Sequence, residues 1–232
     1  MEGIKEKVSY CLNCPVKPCS NKGNCKTKPC STKGCPLENN IPEFIKAVKE
    51  EDYQKAYVIL SETTVLEAVC GRICPHTKQC EGACVRGIKS NPVSIGEIEA
   101  FVGDISIKEN YSFATVNKEH KNKKIAIIGG GPSGITAAAF LLKKGYSVTI
   151  YEKYNYLGGL LIHGIPEFRL PKDIVKQTIQ KIIDLGLEVK YNQELGKNLF
   201  LEQLEEKYDA IFLAFGANIT AKMGIKGEEL KG

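Results

Sequence analysis

The stretch KIAIIGGGPSG, residues 124–134, decides how this chain is read. Ile125 to Ile128 form a short aliphatic run of the kind that makes a strand buried on both faces, and the run stops on three glycines. Ile135 to Lys144 is rich in Ala and Leu and reads as a helix, and Val148-Thr-Ile-Tyr-Glu152 reads as a second strand closed by an acid. Strand, glycine turn, helix and strand in about thirty residues is the context that a dinucleotide-binding turn requires. Gly129 permits the tight turn, Gly131 lets a pyrophosphate approach the backbone, and Gly134 lets helix and strand pack closely. Pro132 and Ser133 open the helix, whose N-terminus faces the phosphates. Glu152 is placed to accept hydrogen bonds from the ribose hydroxyls of an adenosine. A glycine-rich turn in some other α/β protein would leave that acid unexplained. The motif does not choose between FAD and NAD, and the acid disfavours a ribose 2′-phosphate.

Downstream the pattern continues as a parallel, doubly wound sheet. Leu157-Gly158-Gly159 and the loop Gly164 to Pro171 carry small and fixed-φ residues that could lie against a flat ring system. Residues 172–186 read as a helix ending at Gly186, Leu187 to Tyr191 as a strand, Leu199 to Lys207 as a helix, and Ala210 to Gly216 as a buried strand. Lys153, Leu160, Ile165, Arg169, Ala214 and Gly216 complete the candidate cofactor contacts.

Upstream the chemistry changes. All ten cysteines lie between Cys11 and Cys84, and the remaining 148 residues contain none. The spacings are Cys11-x2-Cys14-x4-Cys19, then Cys25, Cys30 and Cys35-Pro36, then Cys70-x3-Cys74-Pro75-x4-Cys80-x3-Cys84. The N-terminus lacks the apolar core of a signal peptide, and no apolar run is long enough to span a membrane, so the chain reads as soluble and cytoplasmic. In that compartment thiols stay reduced, which favours metal over disulfides. Zinc is the main competitor of iron–sulfur, but zinc sites usually pair two short knuckles, whereas Cys-Pro steps recur in bacterial ferredoxins. Residues 1–36 hold seven Lys and two Glu, a balance of +5. Such a balance would offset anionic clusters, although a solvated surface explains it as well. Nucleic-acid binding is disfavoured, because Tyr10 is the one aromatic of that segment.

Between the cysteine groups Ile41, Phe44, Ile45 and Val48 keep helical spacing, as do Tyr53, Ala56, Tyr57 and Leu60. A helical hairpin there would bring the second cysteine group back onto the first. The expected organisation is a small helical domain over 1–107 with a thin core, a linker over 108–124, and a Rossmann-like domain over 125–232. The fold class is therefore α+β multidomain, an all-α unit followed by an incomplete α/β doubly wound one.

CGRICPHTKQCEGACVRG (70–87), PVSIGEIEAF (92–101), the GGGPSG turn, LGGLLIHGIPEFRLPK (157–172) and YDAIFLAFGA (208–217) together resemble the NADPH-dependent glutamate synthase small subunit family. That family includes the large subunit of bifurcating ferredoxin:NADP oxidoreductases and the N-terminal part of dihydropyrimidine dehydrogenase. The resemblance implies FAD at the first glycine turn and two 4Fe–4S clusters. It implies that Cys11, Cys14, Cys19 and Cys84 hold one cluster, and that Cys35, Cys74, Cys80 and Glu99 hold the other, with Cys70 a neighbour. Fifteen residues separate Cys19 from Cys35, more than relatives have, and Lys-Pro-Cys-Ser occurs at both 17–20 and 28–31. Cys30 is thus an alternative to Cys19, and Cys25 has no assigned role. Phe215 departs from the small residue common in the corresponding flavin loop.

In the family a second glycine-rich turn that binds NADPH follows the strand like 210–216, and here the sequence stops at Gly232. The resemblance therefore implies an electron-transfer module that passes electrons from NADPH through FAD and the clusters to a partner redox subunit, with the nicotinamide site on a missing or separate domain. The alternative is a non-catalytic iron–sulfur and flavin-binding subunit that bridges partners, or an inactive fragment. A ferredoxin:NADP oxidoreductase large subunit is a further alternative within the family.

Overall fold

The computed structural model describes residues 2–20, 34–113, 121–217, 224–228 and 230. Two units follow one another along the chain. The first is helical: α1 (Glu2–Ser9), α2 (Ile41–Lys49), α3 (Tyr53–Ser61), α4 (Glu67–Ile73) and α5 (Ile95–Lys108). Short 3-10 turns at Pro18–Ser20, His76–Lys78, Glu81–Ala83 and Val85–Ile88 carry the cysteine-rich loops.

The expected hairpin forms from α2 and α3. Pro42 sits in the first turn of α2, where its missing N–H costs nothing, and the Asp52 side chain accepts the Lys55 N–H at 3.0 Å to cap α3. The hairpin's apolar stripes meet α5, so that Phe44, Tyr57, Leu60, Ile95 and Ile98 are fully buried. Each such side chain stabilises by about 1.5–3 kcal/mol relative to exposure. The helical core is thus deeper than the sequence suggests, because α5 contributes a third layer that the spacing of residues 92–101 does not advertise.

The closest packing is between α4 and α5. A Cβ at Gly71 would lie 2.3 Å from Ala100 N, and one at Gly103 would lie 2.5 Å from Ala68 Cα. The Arg72 guanidinium donates to both oxygens of Asp104 at 2.8 Å and ties the two helices at their rim.

The second unit contains β1 (Lys124–Ile128), α6 (Pro132–Lys143), β2 (Ser147–Tyr151), α7 (Leu160–His163), α8 (Lys172–Ile183), β3 (Glu188–Lys190), α9 (Leu201–Glu205) and β4 (Ala210–Leu213). The strands make one parallel sheet in the order β3-β2-β1-β4, with Ile127 opposite Ile150 on one side and Phe212 on the other. Strand alternation splits the core. Ile125, Ile127, Val148 and Ile150 join α6 and α8 in the main cluster, whereas Ala126, Ile128 and Tyr151 meet a smaller cluster of Leu199 and Leu204 with Leu195, Tyr208 and Ile211 packed against it. The expectation of a buried last strand is corrected here. β4 ends at Leu213, and Phe212, Leu213 and Phe215 are 41%, 53% and 53% exposed. β4 is an edge strand paired to β1 alone, and no layer of described residues covers its outer surface.

The two units are packed together through α8, which lies against α4 and α5. The seam is charged. Lys181 of α8 donates to the Ser106 carbonyl at 3.0 Å and lies 4.1 Å above the Tyr57 ring, while Lys143 of α6 donates to the Ser61 carbonyl at 2.5 Å. Burial pushes the Lys181 ammonium down to about 8. Glu67 of α4 faces Lys181, Lys143 and Tyr57 from within the helical unit and has Glu99 as a further charged neighbour. Burial raises its carboxyl to about 7, against the pull of the two lysines. Because the folded protein holds this proton more tightly, stability is fully present below the ordinary carboxylate value and is lost as pH rises through about 7. Lys181 has the opposite sign, so stability returns above about 8. Thermal unfolding of Glu67→Gln should lack the fall between pH 5 and 7 that the native chain shows, a difference of roughly 3 kcal/mol. Parallel pH profiles for the two proteins would refute this charge balance.

Candidate functional site

The turn between β1 and α6 has the geometry that the dinucleotide reading requires. Gly129 has φ of +105°, and a Cβ there would lie 2.4 Å from the Ala214 carbonyl oxygen. A Cβ at Gly134 would lie 2.0 Å from the Gly129 carbonyl, so this glycine is demanded by helix-on-turn packing. Gly131 differs, because a Cβ there meets nothing within 4 Å and its φ of −76° suits any residue. Open space in front of its backbone is what an approaching phosphate needs. Pro132 and Ser133 occupy the first turn of α6 as expected.

Glu152 ends β2 and is buried. Its Oε2 accepts the Gly130 N–H at 2.7 Å and its Oε1 the Tyr154 N–H at 3.0 Å, so this acid fastens the glycine turn. Each oxygen keeps lone-pair capacity, and Glu152 still lines a cavity of about 310 Å³ at the carboxyl ends of the strands. Lys153, Tyr151, Gln193, Glu194, Leu195 and Phe215 also line it. Of these, the sequence marks Lys153 as a candidate contact and Phe215 as a departure from the usual flavin loop. Tyr151 reads as sheet core, and residues 193–195 follow a strand whose ending no motif marks.

Gly158 donates to the Gly130 carbonyl at 2.8 Å, and Gly159 approaches Gly131 closely enough that a Cβ would lie 2.9 Å from its Cα. The Leu157–Gly159 segment therefore folds back onto the glycine turn, and Leu160 beyond it stands exposed on α7. Lys172 Nζ holds the following loop by donating to the Leu161 and Ile165 carbonyls, which fixes Gly164 and Ile165. Arg169 is exposed and does not line the cavity. Ala214 and Gly216 lie just past β4, with Ala214 N donating to the Ile128 carbonyl.

The cysteines fall into two groups. Cys11, Cys14, Cys19 and Cys84 line one hollow with Pro18, Pro42 and Val85. Cys35, Cys74 and Cys80 line a second, together with Glu99, Cys70 and His76. The Cys35 N–H donates to the Cys19 carbonyl at 2.8 Å, so the two hollows share a wall. Among the described residues no three His, Cys, Asp or Glu side chains converge closely enough to hold a single metal ion. Cys25 and Cys30, including the alternative of Cys30 for Cys19, lie outside the described residues.

The thiols sort by environment as well. Burial raises Cys11, Cys35 and Cys80 and pushes Cys19 up to about 12. Cys74 departs from this pattern, held down at about 7 by its hydrogen bond to Cys70, which is itself held up as the protonated partner. Burial also raises the Glu99 carboxyl well above the usual range, with Cys74 and Glu67 adding to it, and Glu99 Oε1 is buried without a hydrogen-bond partner. An orphaned, buried carboxyl oxygen in a hollow lined by soft sulfur donors is a fit for a metal centre.

Comparison with known proteins follows the same division. Residues 1–111 match the family model described as dihydropyrimidine dehydrogenase domain II, 4Fe-4S cluster, and residues 127–164 match an NAD(P)-binding Rossmann-like domain. The NADPH-Fe(3+) oxidoreductase subunit beta of Geobacter sulfurreducens is 37% identical over 84% of this chain and 29% of its own length. The glutamate synthase (NADPH) small chain of Escherichia coli is 32% identical over 98% of this chain and 46% of its own length. An NAD-dependent dihydropyrimidine dehydrogenase subunit of Salmonella typhimurium is 35% identical over 92% and 48%. The chain thus spans less than half the length of these relatives. Its two hollows and its glycine turn lie within the matched segments, and the chain is a homologue of the glutamate synthase small-chain and dihydropyrimidine dehydrogenase group of oxidoreductases, a 4Fe–4S domain followed by a Rossmann-like NAD(P)-binding region.

Proposed function

We propose that this chain is the electron-transfer module of an NAD(P)H-dependent flavin and iron–sulfur oxidoreductase of the glutamate synthase small-subunit kind. Cys11, Cys14, Cys19 and Cys84 would hold one 4Fe–4S cluster, and Cys35, Cys74, Cys80 and Glu99 a second. FAD would lie along the glycine turn, its pyrophosphate at Gly131 and its adenosine ribose at Glu152. When bound, FAD takes electrons as a hydride pair and the clusters pass them singly.

The observation that carries this reading is the placement of the second hollow. Its Cys70, Cys74 and Glu99 stand on α4 and α5, the helices that pack on α8 of the nucleotide-binding sheet. Electrons would pass between the second hollow and the first across the wall that Cys19 and Cys35 share. The match of residues 1–111 to a family model described by its 4Fe-4S cluster favours a polynuclear cluster over zinc. The module would hand electrons to a partner redox subunit, as the subunit names of its relatives suggest. Among the described residues no helix is long and apolar enough to cross a membrane. The uncovered outer surface of β4 favours a nicotinamide site supplied by further polypeptide, in cis or as a separate chain. The same bare edge is the one feature that supports a bridging, non-catalytic subunit, and flavin reduction by NADPH in the assembled complex would exclude that role.

The anaerobically reconstituted chain should contain about eight iron and eight acid-labile sulfide. Cys84→Ser and Cys80→Ser should each lose about half, from different clusters, and Cys70→Ser should lose none. Stoichiometric zinc without sulfide, or loss of all iron in every variant, would refute the assignment.

The glycines separate fold from binding. Gly131→Ala should leave the thermal midpoint within about 1 kcal/mol of the native chain while weakening dinucleotide binding by about tenfold or more. Gly134→Ala should lower both, because its methyl group meets the Gly129 carbonyl. Equal affinity for Gly131→Ala and the native chain would place the pyrophosphate elsewhere.

A further inference from the structure

One residue of the second hollow has no role in the ligand set proposed above. His76 lines it together with Cys35, Cys74, Cys80 and Glu99. Its Nε2 is buried and has no hydrogen-bond partner in the protein, which places it beside Glu99 Oε1 as the second unsatisfied polar atom of this hollow. A buried polar atom without a hydrogen-bond partner costs about 1–3 kcal/mol, so Nε2 calls for a partner in the loaded state.

The ring is held in place. His76 N donates to the Cys74 carbonyl at 2.9 Å, and the 3-10 turn that it opens turns the side chain toward α5. There the ring rests on Gly96, where a Cβ would lie 2.4 Å from its Cε1. The Gly96 N–H is engaged by Glu81 Oε1 at 3.1 Å, so that strand of contacts is fixed from the other side. Gly96 and Glu99 are three residues apart on α5, which puts the imidazole and the carboxylate on one helix face.

We propose that His76 donates a hydrogen bond from Nε2 to a sulfur of the cluster held in the second hollow and thereby raises the reduction potential of that cluster. A hydrogen bond to a cluster sulfur stabilises the more negative, reduced state. Gly96 leaves the space that lets the ring reach the hollow. The inference rests on the two-cluster reading.

The test uses the reconstituted 232-residue chain carrying His76→Leu, His76→Gln or Gly96→Ala, with iron and sulfide assayed and each cluster titrated potentiometrically by EPR and visible absorbance. His76→Leu should keep the full iron and sulfide content and make one cluster about tenfold harder to reduce, about 59 mV for one electron, with the other unmoved. His76→Gln keeps an N–H donor and should restore most of that potential. Gly96→Ala, which displaces the ring while leaving the histidine, should move the same cluster in the same direction. An unchanged potential in His76→Leu overturns the assignment, and so does loss of about half the iron, which would make the imidazole a ligand. A native chain without iron and sulfide would refute the cluster reading itself, and the role of His76 with it.

Discussion

The approach of α4 to α5 is the constraint on which the rest of the molecule depends. Gly71 and Ala100, and Gly103 and Ala68, leave so little between the two backbones that a single added methyl group on either glycine would overlap main-chain atoms. Close crossing of this kind gives up side-chain burial at the contact, and Arg72 with Asp104 offsets part of that at the rim. What it gains is position. Cys70 and Cys74 on one helix are brought against Glu99 on the other, and the same helix pair presents the surface on which α8 docks. Metal chemistry and interdomain packing are thereby mounted on one rigid element.

Burial sets the charge states on both sides of that element. Burial pushes Cys11, Cys19, Cys35 and Cys80 toward their neutral forms, so metal binding there would release protons and be coupled to pH. Cys74 departs from this because Cys70 donates a hydrogen bond to it and stays protonated itself. At the seam Glu67 is buried and Lys181 partly so, each losing solvation, and Tyr57 beneath the ammonium gives the lysine an aromatic face. An arrangement of this kind contributes specificity of docking more than net stability.

The two faces of the sheet tell a different story. On one, α6 and α8 cover Ile125, Ile127, Val148 and Ile150 in continuity with the helical unit. On the other, Ala126, Ile128 and Tyr151 have a small cluster over them, and β4 is left with aromatic and aliphatic side chains toward solvent. The cofactor cavity opens at the carboxyl ends of these strands, at the boundary between the well-covered and the thinly covered parts. Glu152 spans the difference: it secures the turn through two backbone amides and still faces the cavity.

The sequence by itself determined the local geometry. The positive φ of Gly129, the strand–turn–helix order, the helical hairpin of residues 41–61 and the assignment of thiols to short-spaced groups follow from backbone sterics and periodicity, which neighbouring residues settle among themselves. Family resemblance implies the crossing of Cys84 to the first group and of Glu99 to the second, and Cys84 lines the first hollow and Glu99 the second. Only the tertiary structure decided what depends on a partner layer. The apolar run of β4 reads as buried, yet it is exposed because hydrophobicity specifies a demand for cover and not its presence. Glu67 and Lys181 look like surface charges along their helices, yet Glu67 is buried and Lys181 partly so because other helices close over them. His76 lies in a loop with no periodicity to mark it, and its place in the second hollow is set by a glycine twenty residues away, on an adjacent helix.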